Sequence, residues 1–119
     1  KKYKKKEIYC TLLLSDTPEI KTLNKKFRRK NKSTDVLSFP FYEKKVFLNK
    51  LKSEKEIYLG DIIINFNKVI SKKNKLNFFI EFNKLWIHGL AHLFGYDHKK
   101  NKDFEVMRRV EKKLLSYIN

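Results

Sequence analysis

The apolar positions of this chain follow two periods, and the switches between them mark its elements. From Glu7 to Leu14 the pattern alternates, with Ile8, Cys10, Leu12 and Leu14 on one side and Tyr9, Thr11 and Leu13 on the other. A period of two predicts a strand. Ile20, Leu23 and Phe27 then recur at helical spacing behind Thr17-Pro18-Glu19. A threonine cap, a proline in the first turn and an acid where the helix dipole favours one predict a short amphipathic helix to about Arg29. A polar basic turn follows, and Val36-Leu37-Ser38-Phe39-Pro40 alternates again as a strand that Pro40 ends or confines to an edge. Glu43 to Glu56 is charged and poor in apolar residues, which predicts a loop or loose hairpin. In the strand from Ile57 to Asn65, the run Ile62-Ile63-Ile64 implies burial on both faces, and Gly60 marks a bulge or a close backbone approach.

Asn67 to Lys75 is a short helix or turn, and a longer helix starts near Leu76. At about 100° per residue, Leu76, Phe79, Ile80, Trp86, Ile87, Leu90, Ala91 and Phe94 share one broad apolar arc, with His88 and His92 on its flank. A last helix runs from about Asn101 to Tyr117, with Asp103 and Glu105 early, Lys112 and Lys113 late, and a buried stripe of Phe104, Met107, Val110, Leu114 and Ile118. The order strand, helix, strand, strand, then helices predicts an α+β fold with helices packed on a small mixed sheet. No repeat or linker divides it, so one domain over residues 1–119 is expected.

Composition narrows the setting. The chain is 41% hydrophobic and 14% aromatic, enough for one core. Cys10 is the single cysteine, which excludes an internal disulfide and favours a reducing compartment. No apolar run approaches the ~20 residues of a membrane helix. A soluble cytoplasmic protein is expected, although Lys1 is not a natural first residue and a short leader could have been removed. The net charge of +16 comes from 29 Lys and Arg against 13 Asp and Glu, a field that favours polyanions: RNA, DNA or an anionic membrane. Nucleotide bias toward A and T would also enrich lysine, asparagine, isoleucine and phenylalanine, so the charge alone does not decide for nucleic acid.

The sharpest chemistry lies in Trp86 to His98, which holds all three histidines, His88, His92 and His98. Histidines four apart on a helix share a face, the arrangement by which zinc proteins supply two neighbouring nitrogens. Gly95 can end the helix in the left-handed conformation, returning His98 toward the same point, so that three imidazoles converge with a fourth position open. A lone helical histidine is more often a satisfied side chain than a ligand, but three at this spacing, with a glycine where the reversal is needed, point to a metal. The spacing is that of the metalloprotease pattern His-Glu-x-x-His-x-x-Gly-x-x-His, with Gly89 in place of the glutamate base. The cage survives that change, and peptide hydrolysis by that route does not.

The residues resemble the YbeY family of bacterial ribosomal-RNA maturation factors, described as metal-dependent single-strand endoribonucleases. Its signature His-Gly-x-Leu-His-Leu-x-Gly-Tyr-Asp-His matches His88 to His98 except at Ala91, on the apolar side. Two further blocks agree in order: Phe27-Arg28 through Thr34-Asp35-Val36-Leu37-Ser38-Phe39-Pro40, and Leu59-Gly60-Asp61-Ile62-Ile63-Ile64. The departures are Phe27 for the usual tyrosine and Ser33 where proline is frequent. By that resemblance His88, His92 and His98 would hold one zinc ion and Arg28 would be the functional arginine near it. The fold would be zincin-like, and the partners single-stranded RNA, ribosomal RNA or the small ribosomal subunit.

Zinc on three neutral imidazoles retains a site for water, lowers its pKa toward ~7 and polarises a phosphoryl oxygen. Arg28 suits the charge building on the non-bridging oxygens, because its planar fork matches phosphate and keeps its proton. The alternative for Arg28 is a solvated basic turn. Asp97 is either a general base or a hydrogen-bond partner that orients an imidazole. Glu81 lies about 10 Å before His88 along the helix, too far for direct transfer. The attacking oxygen, from water or the RNA 2′-hydroxyl, stays open. Three readings follow: a zinc endoribonuclease acting on ribosomal RNA, a ribosome-assembly protein with structural zinc that binds RNA without cutting, and a hydrolase such as a metallopeptidase with another base, against which Gly89 counts.

Overall fold

The computed structural model describes residues 7–70, 75–96 and 101–117. The elements run β1 (Glu7–Ser15), α1 (Thr17–Arg28), β2 (Val36–Pro40), α2 (Lys44–Ser53), β3 (Glu56–Asn65), α3 (Phe66–Ile70), α4 (Lys75–Leu93) and α5 (Asn101–Ser116). The three strands form a mixed sheet in the order β1-β3-β2, with β1 parallel and β2 antiparallel to the central β3. This is the α+β arrangement expected.

β3 explains why the sheet is covered on both sides. Ile63 packs with Ile20 of α1 and Leu37 of β2 on one face. Ile57, Leu59, Ile62 and Ile64 pack with Leu85 and Leu93 of α4 on the other. Strict alternation would set Ile57 and Leu59 opposite Ile62 and Ile64, because one residue of slip reverses every side chain. The register shift at Tyr9/Cys10, which face Tyr58 and Gly60, inserts one extra residue and brings all four to the same side. Gly60 carries the irregularity with φ +140°, and a Cβ there would fall on the Phe39 carbonyl oxygen. Both meanings of that glycine are therefore realised. Pro40 ends β2 at the sheet edge, where its missing N–H does no harm.

Three expectations need correction. Residues 44–53 form α2 instead of a loop, because Phe47, 5% exposed, and Leu51 one turn later reach the core beside Ile57 and Ile64. The cap of α1 is Asp16, whose carboxylate accepts from the Glu19 amide at 2.9 Å. Thr17 turns its hydroxyl toward Asn65 instead. The apolar stripes are also narrower than the wheel predicts. Phe79 and Ile80 of α4 and Phe104 of α5 are about half exposed, whereas Ile87, Ala91 and Met107 are buried. Leu76's side chain and Ile118 lie outside the described residues.

Candidate active site

α4 presses on the sheet through Leu85 and Leu93, both buried. Gly89 lies in that interface, where a Cβ would come within 2.6 Å of the Ile62 side chain and 3.1 Å of the Ser38 hydroxyl. Position 89 therefore faces the sheet, and no side chain there could act in the cleft. His88 and His92 stand on the flank of the same helix, half-buried, with ring centroids 4.7 Å apart and planes at 86°.

Each ring is held by its Nδ1. His88 Nδ1 lies 2.6 Å from Glu111 Oε2 on α5, and His92 Nδ1 lies 2.9 Å from the Tyr96 carbonyl oxygen. Both partners are acceptors, so each Nδ1 donates its proton and, in the neutral ring, the lone pair resides on Nε2. Two such nitrogens on successive turns, each oriented through the far nitrogen, are the donor set a divalent metal takes. Among the described residues no group of three His, Cys, Asp or Glu forms a cage. His98 and Asp97 lie outside them.

The helix end also places His92. Gly95, φ +99°, donates to the His92 carbonyl at 2.9 Å, and Tyr96 donates to the Ala91 carbonyl at 3.1 Å. These paired bonds make a Schellman stop with glycine in the left-handed position. The stop delivers the Tyr96 carbonyl to the ring of His92.

Facing the imidazoles is a wall built from the end of α1, the turn after it and β2. Together they enclose a cleft of about 640 Å³, into which Arg28, Lys30, Lys32 and Lys44 bring positive charge beside His88 and His92. No carboxylate lines it among the described residues. Buried Asn24 shapes the wall, donating from Nδ2 to the Lys32 carbonyl at 2.8 Å while its own carbonyl accepts from the Lys30 amide at 3.2 Å. Arg29 turns the chain in the left-handed conformation, φ 58°.

Arg28 donates to the Ser38 carbonyl, with its guanidinium carbon 5.3 Å from the Phe39 ring centre. The Ser38 hydroxyl donates to the Gly89 carbonyl at 3.1 Å. One serine of β2 thus ties the arginine to the helix turn that carries His88. Sequence reasoning brought Arg28, His88 and His92 to this place but missed Asn24, Ser38 and Glu111. Glu111 had a faint signal, standing one turn after buried Met107 on the inward side of α5. Glu81 does not line the cleft.

A family model described as Endoribonuclease YbeY matches residues 1–119. A Pelagibacter ubique protein named Endoribonuclease YbeY is 48% identical over 99% of this chain and 76% of its own length. One of that name from Buchnera aphidicola subsp. Schizaphis graminum is 37% identical over 98% of this chain and 72% of its own. A solution structure of a Thermotoga maritima protein aligns at 28% identity and TM-score 0.49, covering 93% of this chain and 71% of that one.

Proposed function

The chain belongs to the endoribonuclease YbeY family, and from that premise we propose a zinc-dependent endoribonuclease that cuts single-stranded RNA in the cleft, acting in ribosomal-RNA processing and small-subunit maturation in the cytoplasm. The observation that carries this reading is the pairing of two Nδ1-anchored imidazoles with four cations and no acid among the described lining residues. His88, His92 and His98 would hold the ion. Zinc bound there would supply Lewis acidity for a phosphoryl oxygen and activation of water.

The chain's own groups do the rest. Lys30, Lys32 and Lys44 draw the backbone phosphates into the cleft by charge, without regard to base. Arg28, aimed by Ser38 and Phe39, meets the scissile phosphate, where its fork neutralises the charge that grows on the non-bridging oxygens. The ribosomal target rests on the resemblance of the three sequence blocks. No helix among the described residues is long and apolar enough to cross a membrane.

The test is metal analysis of purified protein together with cleavage of a single-stranded RNA by His98→Ala and Arg28→Ala. His98→Ala should lose zinc and cleavage together, and Arg28→Ala should keep zinc and lose roughly a hundredfold in cleavage. Unchanged cleavage by a folded His98→Ala protein would overturn the proposal. RNA binding without cutting by the zinc-loaded native chain would favour the assembly factor with structural zinc.

A further inference from the structure

His88 borders a second opening. On the α5 side a groove of about 780 Å³ runs between α4 and α5, floored by Leu85 and Leu115 and edged by Lys84, Arg108, Arg109 and Lys112. His88 is common to this groove and the cleft. Glu105 and Glu111 also border the groove, yet Glu111 is hydrogen-bonded to the His88 ring, and among the described residues none of the four cations is paired with an acid. The two carboxylates offset part of this charge, and four cations against two acids leave the groove with a positive excess. Four positive side chains around one opening repel one another, and an anion entering between them relieves that repulsion.

We infer that this groove is a second phosphate subsite, which holds the backbone of the same RNA strand after it passes His88. The inference rests on the reading of the cleft as an RNA-cleaving site. Two unpaired basic clusters on either side of one imidazole fit a linear polyanion lying across it better than a single small anion. On one flank the strand meets Arg28, Lys30, Lys32 and Lys44, and on the other Lys84, Arg108, Arg109 and Lys112. Contacts of this kind read the backbone and not the bases, so the groove sets how long a strand is gripped without adding sequence preference.

The experiment compares the native chain, the double variant Lys84→Gln/Lys112→Gln, and a charge-matched control, Lys21→Gln/Lys52→Gln, on exposed faces of α1 and α2. All four positions are exposed, so folding is spared. Binding of a single-stranded oligodeoxynucleotide of about ten residues, which an endoribonuclease does not cut, is followed across salt concentrations. With about 0.7 of a unit of slope per phosphate contact on single strands, the groove variant should lose about 1.4 units from the log-affinity against log-salt plot. The control should keep the native slope.

Cleavage of a dinucleotide, which reaches only the cleft, should be unchanged in the groove variant, whereas the KM for a long strand rises. A native slope in the groove variant, an equal loss in the control, or equal damage to dinucleotide and long-strand cleavage would each overturn the inference. Failure of the cleavage reading itself would show differently, as a native chain that cuts neither substrate.

Discussion

Gly89 occupies a helix interior, where glycine is roughly 1 kcal/mol less favourable than alanine. It is there because Ile62 and Ser38 approach too closely for a Cβ. Gly89→Ala should therefore destabilise the fold by about 1–3 kcal/mol in denaturant unfolding, despite its better helix propensity. A stabilised variant would show that the contact yields. Gly60→Ala should be worse, since a left-handed backbone and a main-chain oxygen both oppose it.

Cys10 offers a pH test. Partial burial, and then the Asp61 carboxylate, hold its thiol above the ordinary 9.0. The neutral thiol is thus the form the fold favours. Its contribution to stability is complete below the unfolded value and is lost as pH rises through the folded one. Alkylation, which needs the thiolate, should begin at higher pH in the native protein than in the unfolded chain. Asp61→Asn should move the native profile to lower pH, and a profile that stays put would remove the carboxylate from the account.

At the level of elements, α1 and α2 show opposite degrees of legibility. The α1 signal survives one misplaced residue: Asp16 and Thr17 are both good caps by type, and only geometry assigns the bond to Asp16. Asp16→Ala should cost about 1 kcal/mol, measured by thermal unfolding, and Thr17→Ala should leave the helix end intact. α2 is harder to read because exposed Val46 and Leu48 blur its period while lysines dilute it. Its inward pair, Phe47 and Leu51, is meaningful only where a core waits for it. Phe47→Ala should cost about 3–5 kcal/mol; a small loss would demote α2 to a surface turn.

For the whole molecule, an excess of +16 charges becomes functional only through its distribution. Arg28, Lys30, Lys32 and Lys44 converge on the cleft, so they should contribute about −3, for about four phosphates, to the slope with which single-strand affinity falls with salt. A flat dependence would argue against phosphate contact. Metal removal separates site from scaffold. Leu85 and Leu93 hold α4 to the sheet by apolar burial, which needs no ion. Chelation should therefore abolish RNA cleavage while the far-ultraviolet circular dichroism stays native, and readdition of zinc should restore activity.

The periods of apolar residues, the Gly95 stop and the histidine spacing were legible in the chain because each is a local rule, satisfied within one or two turns. From them came the strands, the long helices and the pairing of His88 with His92. Tertiary structure alone decided what depends on residues far apart in the chain meeting: Glu111 on His88, Ser38 between Arg28 and Gly89, Asn24 under the basic turn, and α2 on the core. A side chain carries its own chemistry, but the acceptor that fixes its tautomer or the wall that opposes it is supplied by packing, and no periodicity encodes that.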